Sequence, residues 1–173
     1  LSKKFHNIHD FCIAKNVRKL REGGLGIFIT SNGTLDNSKK LRDWIVNEGG
    51  ADFVGAFRMH NKTFGGAGVT SDIVVIRKRV NGQKSVHAID VSDVSGERMA
   101  EYDTGETRKV KGKETPVIKQ LSMDYNRYFI EHPENMAGEM HFAFEKGDTF
   151  RPTSKGLYPK QDKKQEEMLA EFV

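Results

Sequence analysis

Residues 21–36 read Arg21-Glu-Gly-Gly-Leu-Gly-Ile-Phe-Ile-Thr-Ser-Asn-Gly-Thr-Leu-Asp36, and the fold turns on the run from Leu25 to Thr30 in their middle. Apolar character over so short a span, closed by the turn formers Ser31-Asn32-Gly33, predicts a strand buried on both faces, central and parallel in its sheet. Upstream, Phe5, Ile8, Cys12 or Ile13, Val17 and Leu20 recur at helical spacing, with Lys15, Arg18, Lys19 and Arg21 on the other faces or at the end. Gly23-Gly24 then stops the helix, since cations in a last turn suit the dipole and glycine suits the left-handed cap. Downstream a second helix is expected from Ser38 to Asn47, with Leu41, Trp44 and Ile45 on one face and Gly49-Gly50 after its end.

Two further strands follow, Asp52 to Phe57 and Asp72 to Arg79, separated by the glycine-rich loop Lys62-Thr-Phe-Gly-Gly-Ala-Gly68. The Arg77-Lys78-Arg79 end suits a strand leaving the core, so this strand is expected to pair antiparallel with a neighbour. Helix, strand, helix, strand, loop, strand is the order of a layered α/β sheet. Beyond Val80, Asn81-Gly82 marks a hairpin turn, and the charged, apolar-poor stretch from Glu97 to Lys113 reads as a flexible excursion. Leu121, Tyr125, Tyr128 and Phe129 predict a helix over 121–130, ended by His132-Pro133. Met168, Leu169 and Phe172 predict another over 161–172. The chain thus divides into an α/β part (1–80), a polar excursion (81–120) and a helical C-terminal extension (121–173).

The 173 residues are 36% hydrophobic and 30% charged, the profile of one soluble domain. No apolar run approaches the about 20 residues that span a bilayer. The opening Leu-Ser-Lys-Lys is neither a signal peptide nor an initiating Met, so a piece of a longer, cytoplasmic protein is expected. The single Cys12 excludes an intramolecular disulfide and any multi-cysteine zinc site. His6 and His9, or His132 and His141, lack a carboxylate or cysteine at ligand spacing, so no metal is expected. Residues 1–80 hold 14 Lys and Arg against 7 Asp and Glu, and the remainder 14 against 17. The basic half fits either an anionic partner or a solvated lysine-rich face.

Neither glycine cluster suits phosphate. Gly24-Leu25-Gly26 opens a strand where a dinucleotide loop must follow one, and Gly65-Gly66-Ala67-Gly68 lies between strands with no helix N-terminus behind it. Ser31 lacks the Gly-x-Ser-x-Gly elbow of a nucleophile. Phe64 reads two ways: as an anchor tacking its loop to the core, or as a ring offered to a flat ligand beside glycines that let backbone come close.

Taken together, Leu20-Arg-Glu-Gly-Gly24, Gly26-Ile-Phe-Ile-Thr-Ser31, Gly33-Thr-Leu-Asp36, Leu41-Arg42, Phe57-Arg58-Met59, Thr63-Phe64, Val69-Thr-Ser-Asp-Ile-Val-Val-Ile-Arg-Lys78 and Asn126-Arg-Tyr-Phe-Ile-Glu-His-Pro-Glu-Asn-Met-Ala-Gly138 resemble, in order and spacing, the adenine-specific DNA N6-methyltransferases of restriction-modification and mobile-element systems. The type joined to helicase-like regions is the most similar. The matches are short and span roughly two-thirds of the chain.

The resemblance implies a partial Rossmann-like methyltransferase sheet, made of the later strands with an antiparallel last one, plus an irregular α+β C-terminal extension. The family holds S-adenosylmethionine on a glycine-rich turn after its first strand and grips the target amine with Asn/Asp-Pro-Pro-Tyr/Phe after its fourth. Neither is present, and Pro116, Pro133, Pro152 and Pro159 are all isolated. By resemblance the chain therefore starts after the fourth strand. It has no catalytic residue of its own and is expected to bind no cofactor, which belongs to the complete parent.

What this half would supply is part of the pocket for a base extruded from the duplex. Phe64 matches the family's base-stacking aromatic, Ser31, Asn32, Gly65 and Gly66 are candidates for lining the cleft, and Arg58 and Lys62 are candidates for phosphate contacts. The implied partners are DNA, the upstream half of the domain and a helicase-like region. Two alternatives stand beside this reading: a non-catalytic DNA-binding or assembly module on the same scaffold, and methylation of RNA or of a protein glutamine.

Overall fold

The computed structural model describes residue 1 and residues 3–64, 68–143, 154–159 and 165–172. Helix α1 (Ile8–Lys19) leads into β1 (Leu25–Ser31), a one-turn α2 (Gly33–Asp36), α3 (Lys39–Asn47), β2 (Ala51–Met59) and β3 (Ser71–Lys78). A long ribbon follows, β4 (Val94–Val110) and β5 (Lys113–Asn126), then the short α4 (Arg127–Glu131) and a 3-10 turn at Pro133–Asn135. Strands β6 (Gly138–Ala143) and β7 (Ser154–Pro159) pair with each other, and α5 (Gln165–Phe172) follows. The protein is mixed α/β with small antiparallel sheets.

The first sheet has the order β1-β3-β2, with β3 antiparallel to both neighbours, so β1 and β2 run parallel to one another without touching. The antiparallel pairing expected of the strand at Asp72–Arg79 is present on both of its sides. Register places Gly26, Phe28 and Thr30 on one face with Ile76, Val74 and Asp72 of β3 and Phe53, Ala56 and Arg58 of β2. On that face Leu20, just past α1, approaches Gly26, and the hydroxyls of Thr30 and Thr34 meet at 2.7 Å. Leu41, Trp44 and Ile45 of α3 are buried, as their spacing requires, with Val17 of α1.

The central, parallel, doubly buried strand expected at Leu25–Thr30 is corrected: β1 is an edge strand, antiparallel to its one neighbour, and its burial alternates. Leu25, Ile27 and Ile29 are 58%, 68% and 63% exposed. The physical reason is that helices cover one face of β1 only. Of the three strands of this sheet, β2 is the one buried almost throughout. Its second face carries α5, whose Phe172 ring packs on Phe57 at 5.5 Å and lies 3.1 Å from where a side chain on Gly55 would begin. Its outer backbone is used by the amides of Ile89 and Ala137, which donate to the carbonyls of Phe53 and Arg58.

Smaller differences follow the same logic. The first helix starts at Ile8, itself 79% exposed, and ends at Lys19, so Gly23 with φ 71° shapes the turn into β1 and does not cap the helix. Asn81 and Gly82, both at positive φ, form the expected tight turn between bridged Val80 and Gln83. The excursion expected at 97–113 is regular: Lys111 and Gly112, with φ 51° and 81°, turn β4 into β5 with Val110 opposite Lys113. Residues 106–116 are exposed, so their polarity reports a ribbon in solvent. The helix expected from Leu121 begins only at Arg127, because Met123 and Tyr125 are buried around exposed Asp124 at the period of a strand. The C-terminal helix starts at Gln165, and the part expected from 161 to 164 lies outside the described residues.

Candidate functional site

Strands β1 and β2 end on the same side of the sheet, where β3 begins. From β1 the chain passes through Ser31 and Asn32 into α2, from β2 into the loop holding Lys62 and Phe64, and into β3 through Thr70. The amide of Asn32 donates to the Thr70 carbonyl (3.2 Å) and its side-chain nitrogen to Asp36 (3.2 Å), which fastens the exit of β1 to the start of β3 and to α2. The carboxyl ends of β1 and β2 and the start of β3 thus share one end of the sheet.

At its centre lies Arg58, with no exposed surface. Its Nε and Nη2 donate to the two carboxylate oxygens of Asp72 at 2.8 Å each, and Nη2 also reaches Asp36 at 2.9 Å. The Phe129 ring lies 4.3 Å from the guanidinium carbon, and Nη1 is buried without a partner. Two buried carboxylates thus share one guanidinium. Burial pushes the Asp72 carboxyl up, and Arg58 pulls it back only in part. Burial acts against the Arg58 charge, but Asp72 and Asp36 together outweigh it and raise its pKa.

The same cluster holds the C-terminal segment. Asn126 is buried, its amide donates to Asp36 Oδ1 at 2.9 Å, and its side chain donates to the carbonyls of Leu35 and Val91 at 3.0 Å. Its side-chain oxygen accepts from the Tyr128 amide, capping α4. Met136 bridges Arg58, and the Ala137 amide donates to the Arg58 carbonyl at 2.9 Å.

Arg58 is therefore corrected: it does not contact phosphate, because its guanidinium is withdrawn from solvent and committed to Asp36 and Asp72. Lys62 is exposed, and Phe64 is 43% exposed on the same loop. Ser31 and Asn32 are half-buried at the strand end. Gly65 and Gly66 lie outside the described residues. Sequence reasoning missed Asp36, Asp72 and Asn126 as a unit. Charged residues at apolar-facing positions, Arg58 inside β2 and Asp72 opening β3, were the available signal, since such charges persist only when paired.

A second feature lies at the opposite end of β2, where a cavity of about 280 Å³ is lined by Arg42, Asp52, Phe53, Lys84, Ile89 and Asp90 among others. It contains none of the residues selected from the sequence as cleft or base-contacting candidates. The Asp52 carboxylate there accepts from Arg79 Nη2 (2.5 Å) and the Ser85 amide (2.7 Å); burial opposes its charge, but these bonds hold it below the usual carboxylate range. Among the described residues no group of three or more His, Cys, Asp or Glu is placed to hold a metal, and no helix is long and apolar enough to cross a membrane. Comparison with family models, with curated proteins and with solved structures yields no match.

Proposed function

We propose that this chain is the later half of the catalytic domain of an S-adenosylmethionine-dependent DNA adenine-N6 methyltransferase, with its C-terminal extension. It contributes the Phe64 loop to the target-base pocket and part of the DNA face, and is inactive alone. The observation that carries the reading is the convergence on Arg58. Phe57-Arg58, Val69–Lys78 and Asn126–Gly138 are separate stretches of the resemblance, and Asp72, Asn126, Phe129 and Ala137 from them all meet at that residue or its carboxylate partner. Further support comes from the sheet, in which two mutually parallel strands flank an antiparallel last one, as the later part of a Rossmann-like methyltransferase sheet requires.

The residues present do not fit the cofactor. Gly24 and Gly26 precede or open β1, the 65–68 glycines lie between β2 and β3, and the Asn32 amide that leaves β1 is already bonded to Thr70. Cofactor binding and methyl transfer therefore belong to an upstream half, and DNA and a helicase-like region are partners of the complete protein. Within the pocket, the aromatic face of Phe64 would stack on the extruded base, a contact worth about 1–3 kcal/mol that offsets a few kcal/mol of unstacking.

The test is transfer of a labelled methyl group from S-adenosylmethionine to DNA, by the chain alone and by the chain joined to the region encoded before it. Transfer only by the joined protein is the expected result. Transfer by the chain alone overturns the half-domain reading. No transfer by either leaves the non-catalytic DNA-binding or assembly module.

A further inference from the structure

We infer that Gln165, the first residue of α5, is a positioning residue that ties the Phe64 loop to the C-terminal helix and so sets where the ring is presented. The inference rests on the reading of Phe64 as a base-stacking residue. The loop leaves β2 at His60, and its own bonds are short-range: the Thr63 amide donates to the His60 carbonyl (3.1 Å) and the Lys62 amide to His60 Nδ1 (3.1 Å). Local bonds shape the turn without fixing its place over the sheet. Two contacts from distant chain do that.

One is backbone, from the Asn61 amide to the Leu157 carbonyl in β7 at 2.8 Å. The other is the Gln165 side-chain oxygen, which accepts from the His60 amide at 3.1 Å and from the Thr63 hydroxyl at 2.7 Å. One acceptor with two lone pairs thus closes both ends of the turn that delivers Phe64. The amide orientation follows from the donors, since only the oxygen can take a backbone N–H. The Thr63 hydroxyl has one hydrogen, shared between Gln165 and the His60 carbonyl at 2.7 Å.

Phe64 needs such a tie. The residue is 43% exposed, so core packing does not lock it, and Gly68 beyond it stands at φ 58° with open space around its Cβ position. Helix α5 is held to the sheet by other means, through Phe172 against Phe57, and its Met168 is buried in the core. Gln165 is thus free to act on the loop without being what docks the helix.

The experiment compares the full chain with Gln165→Ala and Gln165→Glu by amide hydrogen exchange, and follows emission from a DNA duplex carrying 2-aminopurine opposite an abasic site with the same variants in the chain joined to the region encoded before it. Gln165→Ala is expected to speed exchange at residues 60–64 about tenfold while leaving residues 168–172 protected, the effect of losing one to two net hydrogen bonds. Gln165→Glu keeps two acceptors and should restore protection. Unchanged exchange in Gln165→Ala overturns the proposal, as does equal acceleration in both variants together with loss of protection in α5, which marks a packing role. The probe separates the premise: quenching that disappears in Phe64→Ala and weakens in Gln165→Ala supports both steps. Loop exchange that responds to Gln165 while quenching ignores Phe64 overturns the base-stacking reading and with it the positioning role.

Discussion

Arg58 and Asp72 are register partners across β2 and β3, and their side chains close a two-pronged ion pair with no exposed surface on either residue. The pair joins the hairpin on its inner face, and Asp36 extends it to α2. Arg58→Leu leaves two buried carboxylates without their cation and should destabilise the chain by about 3–5 kcal/mol, read as a lower urea midpoint. Arg58→Lys should recover only part of this, because an ammonium cannot reproduce the planar fork.

Asn126 should be nearly as sensitive without any charge. Replacement by Ala strands the Leu35 and Val91 carbonyls and uncaps α4, for a loss of about 2–3 kcal/mol in urea unfolding. Asn126→Asp should be worse at neutral pH than at pH 4, because it turns a buried carboxylate oxygen toward the Leu35 and Val91 carbonyls where the amide nitrogen had donated. A variant of wild-type stability would separate the C-terminal segment from the Arg58 cluster.

Asp52 supplies the pH dependence whose sign is clearest. Its folded pKa lies below the ordinary value because Arg79 and the Ser85 amide bond the carboxylate more strongly than burial opposes it. Its contribution is complete above the unfolded carboxylate pKa of about 3.9 and is lost as pH falls through the lower folded value. The stability difference between wild type and Asp52→Asn should be constant from about pH 6 to 8 and shrink below about pH 4. Urea titrations at pH 7 and pH 3 check this, and a gap that widens on acidification would give the opposite sign.

Much of the first eighty residues was legible because periodicity there reports burial directly: Leu41, Trp44 and Ile45 predict α3, and all three are buried. The ribbon at 94–126 was not legible by that means. A two-stranded element standing in solvent carries polar side chains, and the Lys111-Gly112 turn lacks the Asn-Gly signature visible at 81–82. At the site, the strand ends at Ser31 and Asn32 could be placed from element order. The Arg58 cluster could not, since pairing Arg58 with Asp36, twenty-two positions away, and linking that carboxylate to Asn126, ninety positions away, takes tertiary structure.

Phe64 distinguishes function from packing. With 43% of its surface exposed, Phe64→Ala should change stability by less than about 1.5 kcal/mol, well under the ~3–5 kcal/mol of a buried phenylalanine. On the proposed methyltransferase reading, the same change in the chain joined to the region encoded before it should slow single-turnover methylation roughly five- to 150-fold, from about 1–3 kcal/mol of lost stacking. A large drop in melting temperature, or an unchanged rate, would make the residue a loop anchor.

The outer face of β1 gives the last prediction, and it turns on a strand whose burial the sequence misstates. Leu25, Ile27 and Ile29 alternate with Gly26, Phe28 and Thr30, and the apolar run hides that period because both sets carry apolar residues. A strand buried on both faces would lose several kcal/mol on accepting a charge at Ile27. With Ile27 68% exposed, Ile27→Lys should shift stability by no more than about 0.5 kcal/mol. It should also raise the concentration at which the chain self-associates, since a lysine on an edge strand opposes pairing with another edge. Phe53→Ala, on buried β2, should cost about 3–5 kcal/mol in the same urea assay. Equal losses in the two variants would mean that the outer face of β1 is covered in solution.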